Sequence, residues 1–413
     1  MSRIASIALS ICGALPLAGC GPERPAGAPV LRWYVFNEPS GAFAAAASAC
    51  SAAAKGAYTV SLVPLPADAD QQREQLVRRL AAGDRDVDLV GMDVIWTAEF
   101  AAAGWILPFG DAEAARVEGR LAPTLESASW DGRLWAAPFT TNAQLLWYRA
   151  DRVPEPPATW DDMLRQAMAL GRDGTVEAQG ARYEGLTVLF VSLLRSSGGR
   201  LLDDSNREVS LAPAPTERAL EVLARFATSG AAPANFSNAR EDDSRLAFEA
   251  GHASFMLNYT FVWPSAQRNA PEVARHMAWA RWPRVSADLP SRVTLGGINV
   301  GVGAHGRHPA LAFDAAVCLA SADNQRMAAR MGALPPTIES LYDDPAVRAQ
   351  LPFADALRDT LRDAVQRPQT PLYSDVSLAI DGALHPPRAI DPPVTAARLR
   401  AAVGRALRSE GLL

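Results

Sequence analysis

Polar residues follow apolar, strand-like segments at two places in the sequence, where side chains can meet a ligand. The segment VDLVGMDVIW at 87–96 reads as a buried strand with a carboxylate, Asp93, near its end. Farther along, LWAAPF and LLWYR are separated by TTNAQ, which contributes Thr140, Thr141 and Asn142. Carboxylates and amides can hydrogen-bond to neighbouring hydroxyl groups in pairs. The polar patch is either a surface loop between strands or a crossing between two lobes whose side chains face a cleft.

The sequence carries none of the common catalytic or metal-binding motifs. G-x-S-x-G, HExxH, a glycine-rich phosphate loop and CxxC are all absent, and the five histidines are scattered. Asp and Glu are plentiful, at 45 residues, so any two of them could be paired by chance as the carboxylates of a glycosidase. An exported glycosidase is therefore the competing class, and turnover of disaccharides would reveal it.

The N-terminus has the pattern of an export signal. Arg3 precedes the apolar run IASIALSICGALPLAGC, which is too short to count as a membrane-spanning helix. Its ending, Leu17-Ala18-Gly19-Cys20, resembles the bacterial lipobox, which predicts cleavage after a signal peptide at 1–19 and acylation of Cys20. The protein is then expected to be lipid-anchored at the extracytoplasmic face of the cell membrane, through a stalk at 20–29. The alternative is an ordinary signal peptide with an incidental cysteine.

Length, charge and cysteine content limit the mature chain further. Roughly 390 residues follow Cys20, which suits two domains better than one core. The net charge of -5 argues against a nucleic-acid or anionic-membrane surface. Cys50 and Cys318 remain for an oxidising compartment, where such a pair is more often bridged than free.

The first part of the chain alternates between strands and helices, which predicts a parallel, doubly wound α/β sheet. Ligands of such sheets bind beyond the carboxyl ends of the strands, where Asp93 lies. After a crossing at 139–143 the pattern becomes more helical, and the glycine-rich, β-like segment at 293–304 is interpreted as a return crossing. The predicted strands are 30–36, 58–66 and 87–96, and an amphipathic helix is predicted at 71–84.

Several long strings resemble the extracellular solute-binding proteins of carbohydrate ABC importers, in order and over essentially the whole mature chain. They are PATWDDMLRQAMAL, SSGGRLLDDSNREVSL, LAFEAGHASFMLNY, GGINVGVGAHGRHPALAFDAAVCLAS and GALPP. More narrowly, DVIWTAEFAAAGW, APFTTNAQLLWYR and RPQTPLYSDVS are similar to the mycobacterial trehalose-binding lipoproteins and their relatives.

The resemblance implies a periplasmic-binding-protein-like α/β fold, with two lobes, a hinge and a sugar cleft between them. It makes TTNAQ the first crossing, with Asn142 at the cleft mouth, and it pairs Cys50 with Cys318 inside one lobe. The implied N-lobe is 30–139 plus 300–335, and the implied C-lobe is 140–299 plus 336–413.

The same resemblance implies a monomeric binding protein, not an enzyme, without cofactor or metal. Its expected ligand is a disaccharide, with trehalose favoured, and its expected partners are two membrane permease subunits and a cytoplasmic ATPase. A different oligosaccharide or a glycerophosphodiester is the alternative ligand within the same fold.

A sugar site needs carboxylates and amides for hydroxyl groups and an aromatic face for the ring. Each residue that the resemblance implies also has a structural alternative: Asp93 could cap a helix, Tyr259 could be a core aromatic, and Arg367 could form a surface salt bridge. Gln72 could be a solvated helix residue, and Glu241 could simply favour a helix N-terminus. The implied ligand-binding residues are Asn37, Glu38, Gln72, Asp93, Asn142, Glu241, Tyr259, Gly297, Leu334 and Arg367.

Overall fold

The computed structural model describes residues 27–66 and 68–410. The predicted signal peptide, Cys20 and most of the predicted stalk lie outside these residues. Within the described chain no helix is long and apolar enough to cross a membrane. The strands are β1 (Val30–Phe36), β2 (Thr59–Leu65), β3 (Leu89–Asp93), β4 (Ser129–Trp130), β5 (Arg133–Leu134), β6 (Ala136–Asn142), β7 (Leu145–Arg149), β8 (Val176–Glu177), β9 (Phe255–Asn258), β10 (Met277–Ala280) and β11 (Gly296–Val302).

Helices surround the sheets formed by these strands. They are α1 (Ala42–Ala53), α2 (Ala69–Ala81), α3 (Thr97–Ala102), α4 (Asp111–Ala115), α5 (Ala122–Ser127), α6 (Trp160–Ala169), α7 (Glu184–Ser196), α8 (Pro213–Thr228), α9 (Glu241–Glu249), α10 (Val262–Asn269), α11 (Pro271–Ala274), α12 (Pro309–Leu319), α13 (Ala322–Gly332), α14 (Pro345–Gln350), α15 (Ala354–Arg362), α16 (Tyr373–Leu384) and α17 (Pro392–Leu407).

The first sheet has the strand order β2-β1-β3-β11-β6. β1 pairs in parallel with β2 and β3, so the predicted parallel arrangement is confirmed for these strands. β11 runs antiparallel to both β3 and β6, and the sheet as a whole is therefore mixed. β3 is shorter than the predicted segment because the Asp93 side chain accepts a hydrogen bond from the Ile95 N–H, at 3.2 Å, and starts a 3-10 turn.

The second sheet has the order β10-β7-β9-β8. β7 is buried along its whole length and runs antiparallel to β9 and β10, while β8 joins β9 in parallel. α7 packs deep in this half of the molecule, with almost every residue buried, as its apolar sequence GLTVLFVSLL requires.

The crossing between the sheets is shorter than TTNAQ. β6 continues through Thr140, Thr141 and Asn142, so only Ala143 and Gln144 join it to β7. Thr140 and Thr141 are buried in the strand, because β6 stays paired with β11 over this stretch. The alternative of a surface loop is therefore wrong for the two threonines, and a cleft-facing role for the three polar side chains stays a prediction.

Two further segments run beside this crossing. The Thr141 N–H donates to the Pro335 carbonyl at 2.9 Å, and the Thr141 hydroxyl donates to the Gly296 carbonyl at 3.2 Å. Gly297 has a φ of 140°, and a Cβ there would lie 2.3 Å from the Thr140 carbonyl oxygen, so this close approach requires glycine. The chain segments around 140, 296 and 335 thus form one narrow connection between the two halves. The lobe boundaries themselves stay a prediction.

A disulfide joins Cys50 on α1 to Cys318 on α12, with their Cα atoms 5.9 Å apart. Both cysteines contact the apolar cluster that also contains Trp33, Phe43 and Phe139 under the first sheet. The bridge therefore connects two helices that lie 268 positions apart in sequence but cover the same sheet.

Candidate functional site

Arg367 connects the two halves of the molecule. It lies between α15 and α16 and is only 6% exposed. Its Nη2 donates to Asp93 Oδ1 at 3.2 Å, at the carboxyl end of β3 in the first sheet. Its Nη1 donates to Glu184 Oε1 at 2.7 Å, at the first residue of α7 in the other half. One guanidinium thus holds a carboxylate from each side, which rules out an exposed surface salt bridge.

Glu184 is the most heavily hydrogen-bonded carboxylate of this cluster. The Tyr373 hydroxyl donates to its Oε1 at 2.5 Å, and the Ser377 hydroxyl donates to its Oε2. Burial raises the pKa of the Glu184 carboxyl, and Arg367 with the two hydroxyls opposes that rise. A buried charge needs such compensation, because removing it from water without partners costs several kcal/mol.

Tyr259 and Glu241 are held together by a buried amide. The Asn258 Nδ2 donates to the Glu241 carbonyl at 2.9 Å, and its Oδ1 accepts from the Tyr259 N–H at 2.9 Å. The pKa of the Tyr259 hydroxyl is raised by burial first and then by Glu241, with Asp93 also raising it and Arg367 lowering it. The structure therefore brings four of the sequence-predicted residues, Asp93, Glu241, Tyr259 and Arg367, into one electrostatic cluster.

Glu241 is the first residue of α9, where the helix N-terminus favours an anion. Burial nevertheless raises the pKa of its carboxyl, and the nearby Tyr183 hydroxyl and Arg240 oppose that rise. The Tyr183 hydroxyl is close enough to influence Glu241, yet it makes no hydrogen bond of good geometry within the described chain. A hydroxyl-rich ligand could supply partners to both groups.

Asn142 carries the clearest unmet hydrogen-bonding capacity among the predicted residues. Its Oδ1 is buried and has no hydrogen-bond partner within the described residues. A buried acceptor without a partner costs about 1–3 kcal/mol, and a ligand hydroxyl could remove that cost. Gln72 on α2 is 6% exposed, so the alternative of a solvated helix residue is wrong.

Asn37 and Glu38 lie apart from this pattern. Asn37 is exposed, whereas Glu38 is buried. The Glu38 carboxylate accepts hydrogen bonds from the Ser40 N–H at 2.9 Å, the Ser40 hydroxyl at 2.6 Å and the Ala42 N–H at 3.0 Å. These bonds close the start of α1, where Gly41 has no side chain to do so. A ligand-binding role for either residue stays a prediction.

Gly297 and Leu334 lie at the crossings. Gly297 is half-buried and faces Thr141 in the strand register. Leu334 is half-buried against the apolar cluster of the first sheet and precedes Pro335, whose carbonyl accepts from Thr141. Both positions shape the connection, and their contact with a ligand stays a prediction.

Sequence reasoning missed Glu184, Tyr373 and Tyr183. Tyr373 could have been predicted, because it lies with Arg367 in RPQTPLYSDVS, one of the strings that are similar to the trehalose-binding lipoproteins. Tyr183 and Glu184 lie in RYEG, which matches no known motif. The residue there that could have drawn attention to them is Gly185. A Cβ at Gly185 would lie 2.2 Å from the Tyr183 hydroxyl oxygen, so the glycine makes room for the tyrosine ring.

Asp381 is a further buried carboxylate near this cluster, and it is 2% exposed on α16. Burial raises the pKa of its carboxyl to about 6, with Glu184 and Asp70 adding to the rise and Arg182 opposing it. The Arg182 Nε lies 3.3 Å from its Oδ1. Among the described residues, no group of three or more His, Cys, Asp and Glu side chains could hold a metal ion.

Comparisons with known proteins agree on the family. The family model described as "Bacterial extracellular solute-binding protein" matches residues 45–353. A "Probable ABC transporter-binding protein" of Deinococcus radiodurans is 28% identical over 350 residues, which cover 81% of this chain and 82% of that protein.

Solved structures agree on the fold. The maltose-bound MalE3 of T. maritima superposes with a TM-score of 0.82 at 25% identity, covering 91% of this chain and 99% of that one. The GacH receptor of Streptomyces glaucescens, described unliganded and with acarbose, has a TM-score of 0.79 at 19% identity. The alignment covers 92% of this chain and 99% of the GacH chain.

Proposed function

The chain belongs to the bacterial extracellular solute-binding proteins, and from that premise we propose that it is the substrate-binding protein of an ABC sugar importer. In this proposal it binds a neutral disaccharide, with trehalose favoured, and delivers it to two permease subunits served by a cytoplasmic ATPase. The name of the Deinococcus radiodurans relative supports the transporter, and the maltose bound to its T. maritima neighbour supports a sugar.

The observation that carries the proposal is the cluster around Arg367. Carboxylates from both halves of the molecule approach one guanidinium, and both Arg367 and Asp93 are close enough to shift the pKa of the Tyr259 hydroxyl. Carboxylates form strong, charge-assisted hydrogen bonds with sugar hydroxyls, and an aromatic ring covers the C–H face of a sugar. Closure of two lobes over such a cluster would remove the ligand from water.

The charges near Tyr259 favour a neutral sugar over a glycerophosphodiester. Glu241, Asp93 and Glu184 all raise the pKa of its hydroxyl, and Arg367 is the cation that opposes them. Arg367 is already paired with Asp93 and Glu184, and Arg240 beside Glu241 is paired with Asp68, so a phosphate entering the cluster would meet carboxylates and, among these described residues, no unpaired arginine.

Isothermal titration against trehalose, maltose, sucrose and glycerophosphocholine tests the ligand. We expect saturable one-to-one binding of a disaccharide, strongest for trehalose, and no heat of binding from glycerophosphocholine. The bound sugar should raise the unfolding free energy by about 2.7 kcal/mol at a concentration of one hundred times Kd. Disaccharide hydrolysis would contradict the proposal, as would tight binding of glycerophosphocholine.

We also propose anchoring through acylated Cys20 at the extracytoplasmic face. Expression of the full chain in an acylating host should yield a product that partitions into detergent, and Cys20→Ala should remain in the aqueous phase. Aqueous partitioning of the unmodified chain would contradict the anchor while leaving the sugar proposal intact.

A further inference from the structure

An ion pair spans the two halves of the molecule beside the Arg367 cluster. The Arg240 Nη1 donates to Asp68 Oδ2 at 3.0 Å. Asp68 precedes α2, which packs on the first sheet through Leu76 and Leu80. Arg240 precedes α9, which packs on the second sheet through Phe248. The pair therefore joins the N-termini of two helices that belong to different halves.

These helices also carry predicted ligand-binding residues. Gln72 lies in the first turn of α2, and Glu241 directly follows Arg240 at the start of α9. A movement of α2 relative to α9 would therefore displace Gln72 relative to Glu241 as well as Asp68 relative to Arg240.

Two contacts other than the ion pair with Asp68 hold Arg240 in position. Its guanidinium lies over the Tyr183 ring, 4.5 Å from the ring centre, and Gly185 leaves the space that this ring occupies. Its backbone N–H donates to the Asp243 carboxylate at 2.9 Å. Because stacking and backbone contacts fix the arginine, less side-chain entropy is lost when the ion pair forms.

Asp68 uses its two oxygens separately. Its Oδ1 accepts from the Gln71 N–H at 3.1 Å and caps α2, while its Oδ2 accepts from Arg240. Asparagine also caps helices well, so Asp68→Asn keeps the cap and removes only the charge that Arg240 needs.

We propose that Asp68 and Arg240 form a clasp that holds the two halves closed and slows the release of the bound sugar. This inference takes the identity of the bound ligand, a sugar, from the proposed function. Arg240 acts as a positioning residue, because its contacts fix the start of α9 where Glu241 lies. The clasp stabilises the closed form, so its loss speeds dissociation more than it slows association.

The expected effect is moderate because the pair is partly exposed, with side-chain exposures of 49% for Arg240 and 30% for Asp68. For an ion pair of this exposure, supported by cation–π stacking, we expect its removal to make the bound sugar dissociate about three- to tenfold faster. Salt should weaken the wild-type clasp and leave the variants almost unchanged.

Stopped-flow dissociation of the bound disaccharide tests the clasp in Asp68→Asn, Arg240→Gln and the double variant. We expect each single variant to release sugar about three- to tenfold faster than wild type at low salt, and the double variant to release it no faster than the single variants. Arg240→Lys, which keeps the positive charge, should release sugar at a rate between those of wild type and Arg240→Gln. Arg225→Gln is the matched control, because Arg225 pairs with Asp161 on the surface of the second half. Dissociation within twofold of wild type, or additive effects in the double variant, would overturn the clasp.

A second measurement on the ligand-free chain separates the clasp from the sugar proposal. Spin labels at Ala81→Cys on α2 and Leu246→Cys on α9, both exposed positions, report the distance between the halves. We expect Asp68→Asn and Arg240→Gln to shift the population to longer distances and Arg225→Gln to leave it unchanged. Identical distance distributions overturn the clasp even if a disaccharide binds. A shift without any sugar binding retains the clasp and rejects the proposed ligand.

Discussion

Glu38 and Glu184 are both poorly exposed, hydrogen-bonded glutamates, but they serve different parts of the molecule. The partners of Glu38 are Ser40 and Ala42, within four positions along the chain. The protein partners of Glu184 include Arg367 and Tyr373, at separations of 183 and 189 positions. The first carboxylate completes a helix start, and the second joins segments that only the folded chain brings together. The partners of Glu184 therefore connect it to the Arg367 cluster, whereas those of Glu38 belong to the start of α1.

The disulfide beside the Glu38 region has the largest expected effect on stability. Cys50 and Cys318 fix α1 to α12 across 268 positions, and opening so long a loop should lower the unfolding free energy by about 5–6 kcal/mol in the chain-entropy model. Urea unfolding of Cys50→Ala with Cys318→Ala measures the loss. Sugar affinity of the folded variant should stay within twofold, and a large loss of affinity would mean that the two regions are coupled.

Arg367→Gln tests the long-range network directly. The variant leaves Asp93 and Glu184 without their shared cation, and breaking a buried pair in this way should cost about 3–5 kcal/mol of unfolding free energy. Urea unfolding and sugar titration together measure the effect, and we expect binding to be lost as well. Arg225→Gln, which removes an exposed pair, should change the unfolding free energy by less than about 1 kcal/mol.

Asp93 and Tyr259 test the ligand face of the same network. Asp93→Asn keeps the shape but exchanges an acceptor for a donor, so sugar affinity should fall by about 2–3 kcal/mol. Tyr259→Ala should cost about as much, because it removes the ring that covers the sugar, whereas Tyr259→Trp should preserve trehalose binding. If the first two variants bind within twofold of wild type with unchanged circular dichroism, the cleft lies elsewhere.

Asp381 should make stability depend on pH. Burial raises the pKa of its carboxyl from 3.8 to about 6, so the folded state binds this proton more tightly than the unfolded state. The unfolding free energy should therefore fall as pH rises from about 4 to about 6, and this loss persists at higher pH. Asp381→Asn should remove this slope and gain about 3 kcal/mol at pH 7.5, but not at pH 4. Urea unfolding across this range checks it, and an unchanged slope would contradict the assignment.

The sequence predicted strands and helices more reliably than it predicted contacts. β1 begins and ends at the predicted residues, because the alternation in VLRWYVF is a local pattern. The sequence left a surface loop open as the alternative for TTNAQ, because the pairing that keeps Thr140 and Thr141 in the sheet is made with β11, a strand some 155 positions later. Glu184 was missed because its identity as a site residue depends on partners that no local pattern reveals. Local periodicity fixes elements, but only tertiary pairing assigns roles to polar residues.

Glu38→Gln has the smallest expected effect and tests the comparison most sharply. The substitution keeps an acceptor for the first N–H groups of α1 but removes the charge that the helix N-terminus favours, so the unfolding free energy should fall by about 1 kcal/mol. Sugar affinity should stay within twofold, because the carboxylate is occupied by Ser40 and Ala42. Titration and urea unfolding on the same preparation distinguish the two roles. A tenfold loss of affinity with unchanged stability would make Glu38 a ligand-binding residue. A carboxylate whose protein partners are all close in sequence could then still belong to the binding site.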